Sequence, residues 1–280
     1  MSASALFLLM LLTSVHGFYH HRGSTAFRRQ QTASRLRATG SADVIDGFCR
    51  FTNALMRNCT VAPFQAYAAI IPAVPNQPFF DKITSPPQSP GLPRPVTLTI
   101  AASVPTALGW YGFYKFSVEE ELFYDELKTK GMVTGCGGYG TLLPFVFLFL
   151  LGGATSLLPV VNQLSAPCFE AGGAWILLGQ INLYRRVNEL CRERFGEEPL
   201  HAWWAILPPP LDVVVGLRQV HYLAKYWADV RGETLPEDVV AERWFPFIAS
   251  ERFTLREFVQ QPRRWFWFTQ DWKDLDLDLS

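Results

Sequence analysis

Apolar side chains repeat at three- and four-residue steps between residues 43 and 59. This spacing places them on one face of an α-helix, so it predicts an amphipathic helix over residues 42–71. The repeating positions are Val44, Phe48, Phe51, Leu55 and Cys59. Eight prolines then fall between residues 72 and 95, a density that no regular element tolerates. Residues 72–94 are therefore predicted to form an extended linker or a strap along a surface.

Longer stretches without any charged side chain predict membrane segments. Residues 131–169 are uncharged, and residues 141–161 within them form the clearest span. Residues 95–114 are also uncharged and end in aromatic side chains, as is typical of a membrane interface. Pro105 predicts a kink in that segment.

Two further apolar segments are shorter or interrupted. Residues 171–184 are short for a full span, but Arg185 and Arg186 beyond them can snorkel to the interface. Residues 200–217 contain three consecutive prolines, which predict a broken span, a re-entrant segment or an interfacial helix pair. The pattern as a whole predicts an all-α, polytopic membrane protein with three to four membrane segments within residues 95–228.

Helix-start signals occur in the more polar regions. Ser117-Val-Glu-Glu120 has the form of a capping box and predicts the start of an acidic helix. Thr234-Leu-Pro-Glu237 and Thr254-Leu-Arg-Glu257 predict helices in a C-terminal tail over residues 229–280. Dense aromatic clusters in this tail predict either docking on lipid or on a larger complex, or an aromatic core. The candidates in these clusters are Trp244, Trp265 and Trp267.

The first 41 residues have the composition of a targeting leader. A short apolar run and small residues before Phe18 predict a signal peptide over residues 1–17. Residues 18–41 contain five arginines and no acid, which predicts a transit peptide. The tandem arrangement resembles the bipartite plastid-targeting leaders of algae with secondary plastids and implies a plastid membrane, either thylakoid or envelope. The alternative is a protein of the secretory pathway or endomembranes with a basic propeptide.

Net charge and cysteine number exclude several classes of function. Lys and Arg number 25, as do Asp and Glu, but the five basic residues of the leader precede the first acid. The rest of the chain therefore carries a net charge of −5, which argues against nucleic acid as a partner. The five cysteines are odd in number and widely spaced, so they predict single buried thiols, with neither a disulfide framework nor a zinc site.

Asp212 is the strongest single candidate for a functional residue. It follows the triple proline in an otherwise apolar segment, and an ionisable residue at membrane depth is a functional-site hypothesis. The other interpretation is that Asp212 lies in water and caps the helix that follows it.

Arg218 and His221 are weaker candidates, for binding a cofactor. With Lys225 and Asp229 they fall on one helical face, which is either a solvated face or a site for an anionic headgroup or a pigment. With two histidines in the body of the chain, a metal site is not predicted. Gly135-Cys-Gly137-Gly-Tyr-Gly140 has the letters of a dinucleotide fingerprint, but no strand precedes it. Its glycines are instead predicted to let helices approach closely.

Three segments resemble small integral-membrane proteins of cyanobacteria and plastids that lack an assigned function. They are Leu183-Tyr-Arg-Arg-Val-Asn-Glu-Leu190, Glu198-Pro-Leu-His-Ala-Trp-Trp204 and Gly216-Leu-Arg-Gln-Val-His221, and the resemblance covers about the last 110 residues. It implies a plastid membrane setting and no reaction, so no catalytic residue or cofactor is assigned. The function expected is non-enzymatic, a structural subunit or an assembly factor of a membrane complex, with the lipid bilayer as a partner. The alternative is a small transporter or membrane-embedded enzyme that uses residues 208–218.

Overall fold

The computed structural model describes residues 28–70, 90–107, 109–207, 211–235 and 238–250. In the first helix it describes the side chains of residues 42–63. The chain divides into two compact units, Met1–Asp43 and Val44–Ser280. All side-chain contacts given below lie in the second unit.

Helices make up the regular structure of the described residues, in which no strand occurs. The all-α class predicted from the sequence is confirmed. The α-helices are α1 (Arg28–Ile70), α2 (Val96–Ser103), α3 (Gly109–Thr129), α4 (Gly137–Ser156), α5 (Ser165–Phe195) and α6 (Leu211–Arg231). Two 3-10 turns, Asn162–Leu164 and Ala202–Ile206, and a π-helical turn, Val239–Trp244, complete the set.

The helix predicted over residues 42–71 is present as the C-terminal part of α1. Most of the predicted proline-rich linker lies outside the described residues. Its last residues contact α3, because Arg94 pairs with Glu121 at 2.6 Å.

Helices α4 and α5 form an antiparallel hairpin, here taken as residues 137–184. Glycines on one helix face larger side chains on the other, and three such pairs run in opposite directions along the two helices. The pairs, ordered from the start of α4 to its end, are Thr141 with Gly179, Phe145 with Gly172, and Gly152 with Phe169. The end of the hairpin near residues 137 and 184 is called the base, and residues 147–164 are called the tip.

Other apolar segments do not form single spanning helices. Residues 95–114 break into α2 and α3 with a turn at 104–107, so the kink predicted at Pro105 is a complete interruption. Pro105 cannot donate a backbone hydrogen bond, which favours ending the helix there. Residues 171–184 are an inner part of the longer helix α5. Of the described helices, Gly137–Ser156 alone has the length and apolar composition needed to cross a membrane.

Two predicted helix starts are wrong. Ser117 lies inside α3, where its hydroxyl donates to the carbonyl of Phe113 at 2.9 Å, because helix formation begins at Gly109. Residues 233–235 are not helical, and the turn after them starts at Val239 with Asp238 as its cap. The capping box at Thr254 lies outside the described residues.

The core lies where α3, the second half of α5 and α6 meet. Its large apolar members are fully buried and come from α3, α5, the Ala202–Ile206 turn, α6 and the segment after the π-helical turn. They include Tyr114, Leu122, Val187, Trp204, Leu223, Trp227 and Phe247. This core positions α3 against the base of the hairpin.

Candidate functional site

A cavity of about 1170 Å³ lies along one side of the hairpin. Helices α2 to α6 and the Ala202–Ile206 turn all contribute to its wall. Most of the lining is apolar, from residues such as Ile100, Phe145, Ile176, Leu183 and Leu217. The volume slightly exceeds the range of about 300–1,000 Å³ that is typical of small-molecule pockets.

Lys115 is the one Lys or Arg among the described residues that line this cavity. Its Nζ atom donates to Oε1 of Gln180 at 2.9 Å and to Oε1 of Gln219 at 3.0 Å. No described carboxylate lies within 4.0 Å of it; burial lowers the pKa of Lys115 to about 8, and attraction to Glu119, one turn along α3, opposes that fall. A buried ammonium held by two neutral amides still lacks a counter-charge in direct contact.

Glu119 also lines the cavity, but its carboxylate is held from the protein side. Arg186 donates from Nη1 to Glu119 at 2.9 Å and from Nε to Glu126 at 2.8 Å. The Arg186 side chain has no solvent exposure, so one guanidinium serves two buried acids. Desolvation raises the pKa of Glu119, and attraction to Arg186 opposes that rise. The Glu119 carboxylate therefore already forms an ion pair with Arg186.

The cavity changes in polarity along the hairpin. Gln180, the partner of Lys115, follows Gly179, which faces Thr141 near the base. Phe145 and residues 176 and 177 lie about one turn nearer the tip, Gly173 lies about two turns nearer it, and all are apolar. The cavity thus has a polar end at the base and an apolar end toward the tip.

Asp212 lies in the first turn of α6 and lines the same cavity. Its carboxylate accepts a hydrogen bond from the backbone N–H of Val213 at 2.7 Å. A carboxylate in the first turn of a helix is stabilised by the helix dipole. Asp212 therefore lies inside the first turn rather than at the cap, and its location at membrane depth stays a prediction.

Arg218 and His221 do not line the cavity, and the prediction that they lie on a solvated face is wrong. Both are buried, and the turn at residues 245–250 packs against Arg218. Arg218 donates from Nε to the carbonyl of Pro199 at 2.6 Å and from Nη1 to that of Phe247 at 2.5 Å. It therefore fastens the turn to α6, which is a structural role.

His221 is only 6% exposed, and its Nδ1 atom has no hydrogen-bond partner among the described residues. Burial lowers the pKa of His221 to about 4, so the imidazole is neutral at physiological pH. On the same face, Lys225 pairs with Glu197 at 3.2 Å, and Asp229 pairs with Arg194.

The aromatic candidates of the tail are only partly described. Trp244 ends the π-helical turn and is about half exposed. Trp265 and Trp267 lie outside the described residues, so their proposed docking role stays a prediction.

The glycine motif at the base binds a carboxylate of the protein itself. Glu120 accepts from the backbone N–H of Gly138 at 2.8 Å, at the N-terminus of α4, and from Asn53 at 3.1 Å. A Cβ atom at Gly138 would lie 2.3 Å from the carbonyl oxygen of Phe116. The predicted close approach of helices at these glycines is confirmed. The Glu120 carboxylate lies at the N-terminus of α4, where a negative charge is favoured.

Cys49 and Cys136 form a pair that the sequence prediction of single thiols missed. Their Sγ atoms lie 2.9 Å apart where α1 meets the segment before α4. The hydrogen bond donated by Cys136 lowers the pKa of the Cys49 thiol. They are 87 residues apart, so no local spacing pointed to this contact.

No three His, Cys, Asp or Glu side chains within the described ranges are grouped as metal ligands. Lys115 and Arg186, which organise the site, were read from the sequence only as charged boundaries of apolar segments. Their position at the ends of uncharged stretches was the one available signal. Comparison with known proteins found no matching family model, no similar curated protein and no similar solved structure.

Proposed function

We propose that this chain is a non-enzymatic membrane protein whose hairpin, residues 137–184, inserts into a lipid bilayer. Helix α3 and the charged second half of α5, which carry the buried ion pairs, remain at the bilayer surface. The observation that carries the proposal is the exposure of apolar side chains at the tip. Val160 is 93% exposed and Leu157 is 82% exposed. Others in the same region are Phe147, Phe149, Leu150, Leu158 and Leu164. A contiguous apolar surface of this kind favours contact with a membrane or a partner.

Length and charge support a bilayer as the environment of the hairpin. Helix α4 has 20 residues, which corresponds to about 30 Å and matches the hydrocarbon core of a bilayer. Between residues 137 and 184 the single charged side chain is Glu170. The first half of α5 is similar in length and carries Glu170 as its single charge, so we propose that it enters the bilayer paired with α4, the one described helix that is apolar enough to span by itself.

We further propose that the protein serves as a structural subunit or assembly factor of a plastid membrane complex. The leader at residues 1–41 supports the plastid address. The half-exposed Trp244 and the aromatic tail beyond it support a contact with a larger complex.

A small transporter or membrane-embedded enzyme is the second candidate. It is favoured by one observation, that Asp212 and Lys115 line the same cavity. Ionisable groups that face a cavity beside a membrane segment often mark a transport or proton pathway.

Carbonate extraction of membranes tests the hairpin. The wild-type chain should stay in the pellet, and the double variant Phe147→Arg with Leu150→Arg should be released. Each central arginine costs about 2.5–3.5 kcal/mol on insertion scales. The matched control is Phe51→Arg with Leu55→Arg on α1, where Phe51 is 65% exposed against 62% for Phe147. Release of the wild type, or retention of the hairpin variant, would contradict the proposal.

The plastid address has its own test. Residues 1–41 fused to a fluorescent reporter should carry it into the plastid of a secondary-plastid alga, and Phe18→Ala should leave it outside the stroma. A secreted wild-type reporter would overturn the plastid assignment.

A further inference from the structure

We propose that the cavity beside the hairpin binds a fatty-acid-like amphiphile, with its carboxylate at Lys115 and its acyl chain directed toward the tip. The proposal rests on the membrane location proposed above, because the bilayer is the source of the amphiphile. The cavity that would hold this ligand is mostly apolar and about 1170 Å³ in volume.

The size and lining of the cavity call for an apolar occupant. The cavity is open on one side, and most of the surface it exposes is apolar. Water requires two to four polar partners, whereas the exposed surface of this wall is mostly apolar, with Leu, Ile, Val and Phe supplying 11 of its 24 residues. An alkyl chain matches that wall, and a bilayer at the hairpin supplies such chains.

The position of Lys115 selects the headgroup. It is the one Lys or Arg of the described lining, and no described carboxylate lies within 4.0 Å of its Nζ atom. Glu119 attracts Lys115 from one turn along α3, but its carboxylate is bonded to Arg186 at 2.9 Å and forms no salt bridge with Lys115. A ligand carboxylate supplies the missing charge and accepts a charge-assisted hydrogen bond from the ammonium.

The polarity of the hairpin sets the direction of the ligand. Gln180 places Lys115 at the level where Thr141 faces Gly179, near the base. Phe145 and Gly173 continue the wall toward the exposed apolar tip. A headgroup at Lys115 therefore leaves the acyl chain along apolar wall in the direction of the membrane.

Two glycines in the cavity wall can be replaced by larger residues that would fill the cavity. Gly112 and Gly173 both line it, and a Cβ atom added at either position meets no atom within 4 Å. A larger side chain there occupies open space rather than displacing protein atoms. Gly153 on α4 is equally open but does not line the cavity, so it offers a matched control.

The test uses the full chain reconstituted in phosphatidylcholine vesicles with a diazirine analogue of palmitic acid. After irradiation, mass spectrometry locates the labelled peptides. We expect labelling at residues 141–145 and 173–184 that excess palmitate removes and excess hexadecanol does not. Lys115→Met should lower it about tenfold, the loss expected for one charge-assisted hydrogen bond, and Lys115→Arg should retain most of it. Gly173→Leu should abolish it, and Gly153→Leu should leave it unchanged.

The outcomes separate the cavity from the membrane anchor. Labelling confined to residues 147–164, or labelling unchanged in both Lys115→Met and Gly173→Leu, would overturn the cavity proposal. Equal competition by hexadecanol would overturn the assignment of the carboxylate to Lys115. Circular dichroism of each variant reports whether it folds, and carbonate extraction reports insertion independently. A variant that loses labelling while it stays folded and carbonate-resistant supports the cavity proposal alone.

Discussion

At its base the hairpin packs against α1 and α3 through glycines and buried ion pairs, whereas at its tip the same two helices expose apolar side chains. Three acids of α3 lie against the base, Glu119, Glu120 and Glu126, all nearly inaccessible to solvent. The tip contains no charged side chain between residues 147 and 164. One pair of helices therefore enters two environments of opposite polarity within about 30 Å.

The comparison shows where each end obtains its stability. At the base the protein supplies partners for its buried acids, since Arg186, Asn53 and the N-terminus of α4 hold them. At the tip the chain supplies few partners for Val160 or Leu157, so that end depends on its surroundings. Substitutions at the base should therefore change stability, and substitutions at the tip should change insertion.

The largest effect on stability is expected for Arg186→Met. The change leaves Glu119 and Glu126 buried without their shared guanidinium, and breaking a buried pair in this way costs about 3–5 kcal/mol. Thermal unfolding in detergent micelles measures it. The matched control is Arg192→Met on the same helix, whose partner Glu198 lies 3.4 Å away with both side chains exposed, so its effect should be within about 1 kcal/mol. Equal effects of the two variants would contradict the role given to Arg186.

Acidification is the second probe of the charged region. The folded-state pKa of His221 is lowered to about 4 by burial, so the unfolded chain binds the extra proton first as the pH falls below about 6.5. Stability should therefore decline between about pH 6.5 and pH 4, by up to about 3 kcal/mol. Unfolding of wild type and His221→Phe across this range measures the contribution, and the variant should lose that part of the slope.

The contribution of His221 is the difference between the pH dependence of stability in the wild type and in His221→Phe. Burial raises the pKa values of Glu119 and Glu120 in the folded state, so their protonation acts in the opposite direction as the pH falls. An acid slope that is the same with and without His221 would show that its imidazole is not held in the neutral form.

The third effect compares one glycine at the base with one near the tip. In Gly138→Ala the new Cβ would lie 2.3 Å from the carbonyl oxygen of Phe116, which must shift, so we expect a loss of about 1–3 kcal/mol. In Gly153→Ala the Cβ meets nothing within 4 Å, and the higher helix propensity of alanine should add about 0.5–1 kcal/mol. Thermal unfolding of both variants should give opposite signs. A loss in Gly153→Ala would mean that the tip is packed by parts of the protein.

Sequence patterns predict the helices of these two regions, but they do not predict the buried ion pairs at the base. The uncharged run predicted α4 and the periodic residues predicted the second part of α1, because both signals are local. The acids of α3 have the pattern of a solvated helix, yet they are buried. Their partners lie far along the chain, Arg186 being 60 and 67 residues from Glu126 and Glu119. No local pattern reports such a pairing.

The sequence predicts Asp212 as a site residue but not Lys115, because the partners of Lys115 are also distant along the chain. Asp212 was chosen as an ionisable residue within an apolar segment, and it does line the cavity. Lys115 has a similar context at the end of residues 95–114, but its importance depends on Gln180 and Gln219, which come from two other helices. His221 and Arg218 share a helical face with charged residues, and the turn at 245–250 that packs against Arg218 is remote from it in sequence.

The smallest effect is expected for Asp212→Asn, on the cavity wall. Asparagine and aspartate act about equally well at a helix start, so stability should change by less than about 0.5 kcal/mol. The substitution removes a negative charge from the cavity wall, so a bound carboxylate should be held more tightly and palmitate labelling should increase. If Asp212 instead served a transporter or enzyme, the Asn variant would keep its stability and its abundance in membranes while losing function in a complemented null strain. An Asn variant that complements fully and labels more strongly favours the lipid-binding membrane protein, whereas loss of complementation at unchanged labelling favours the transporter.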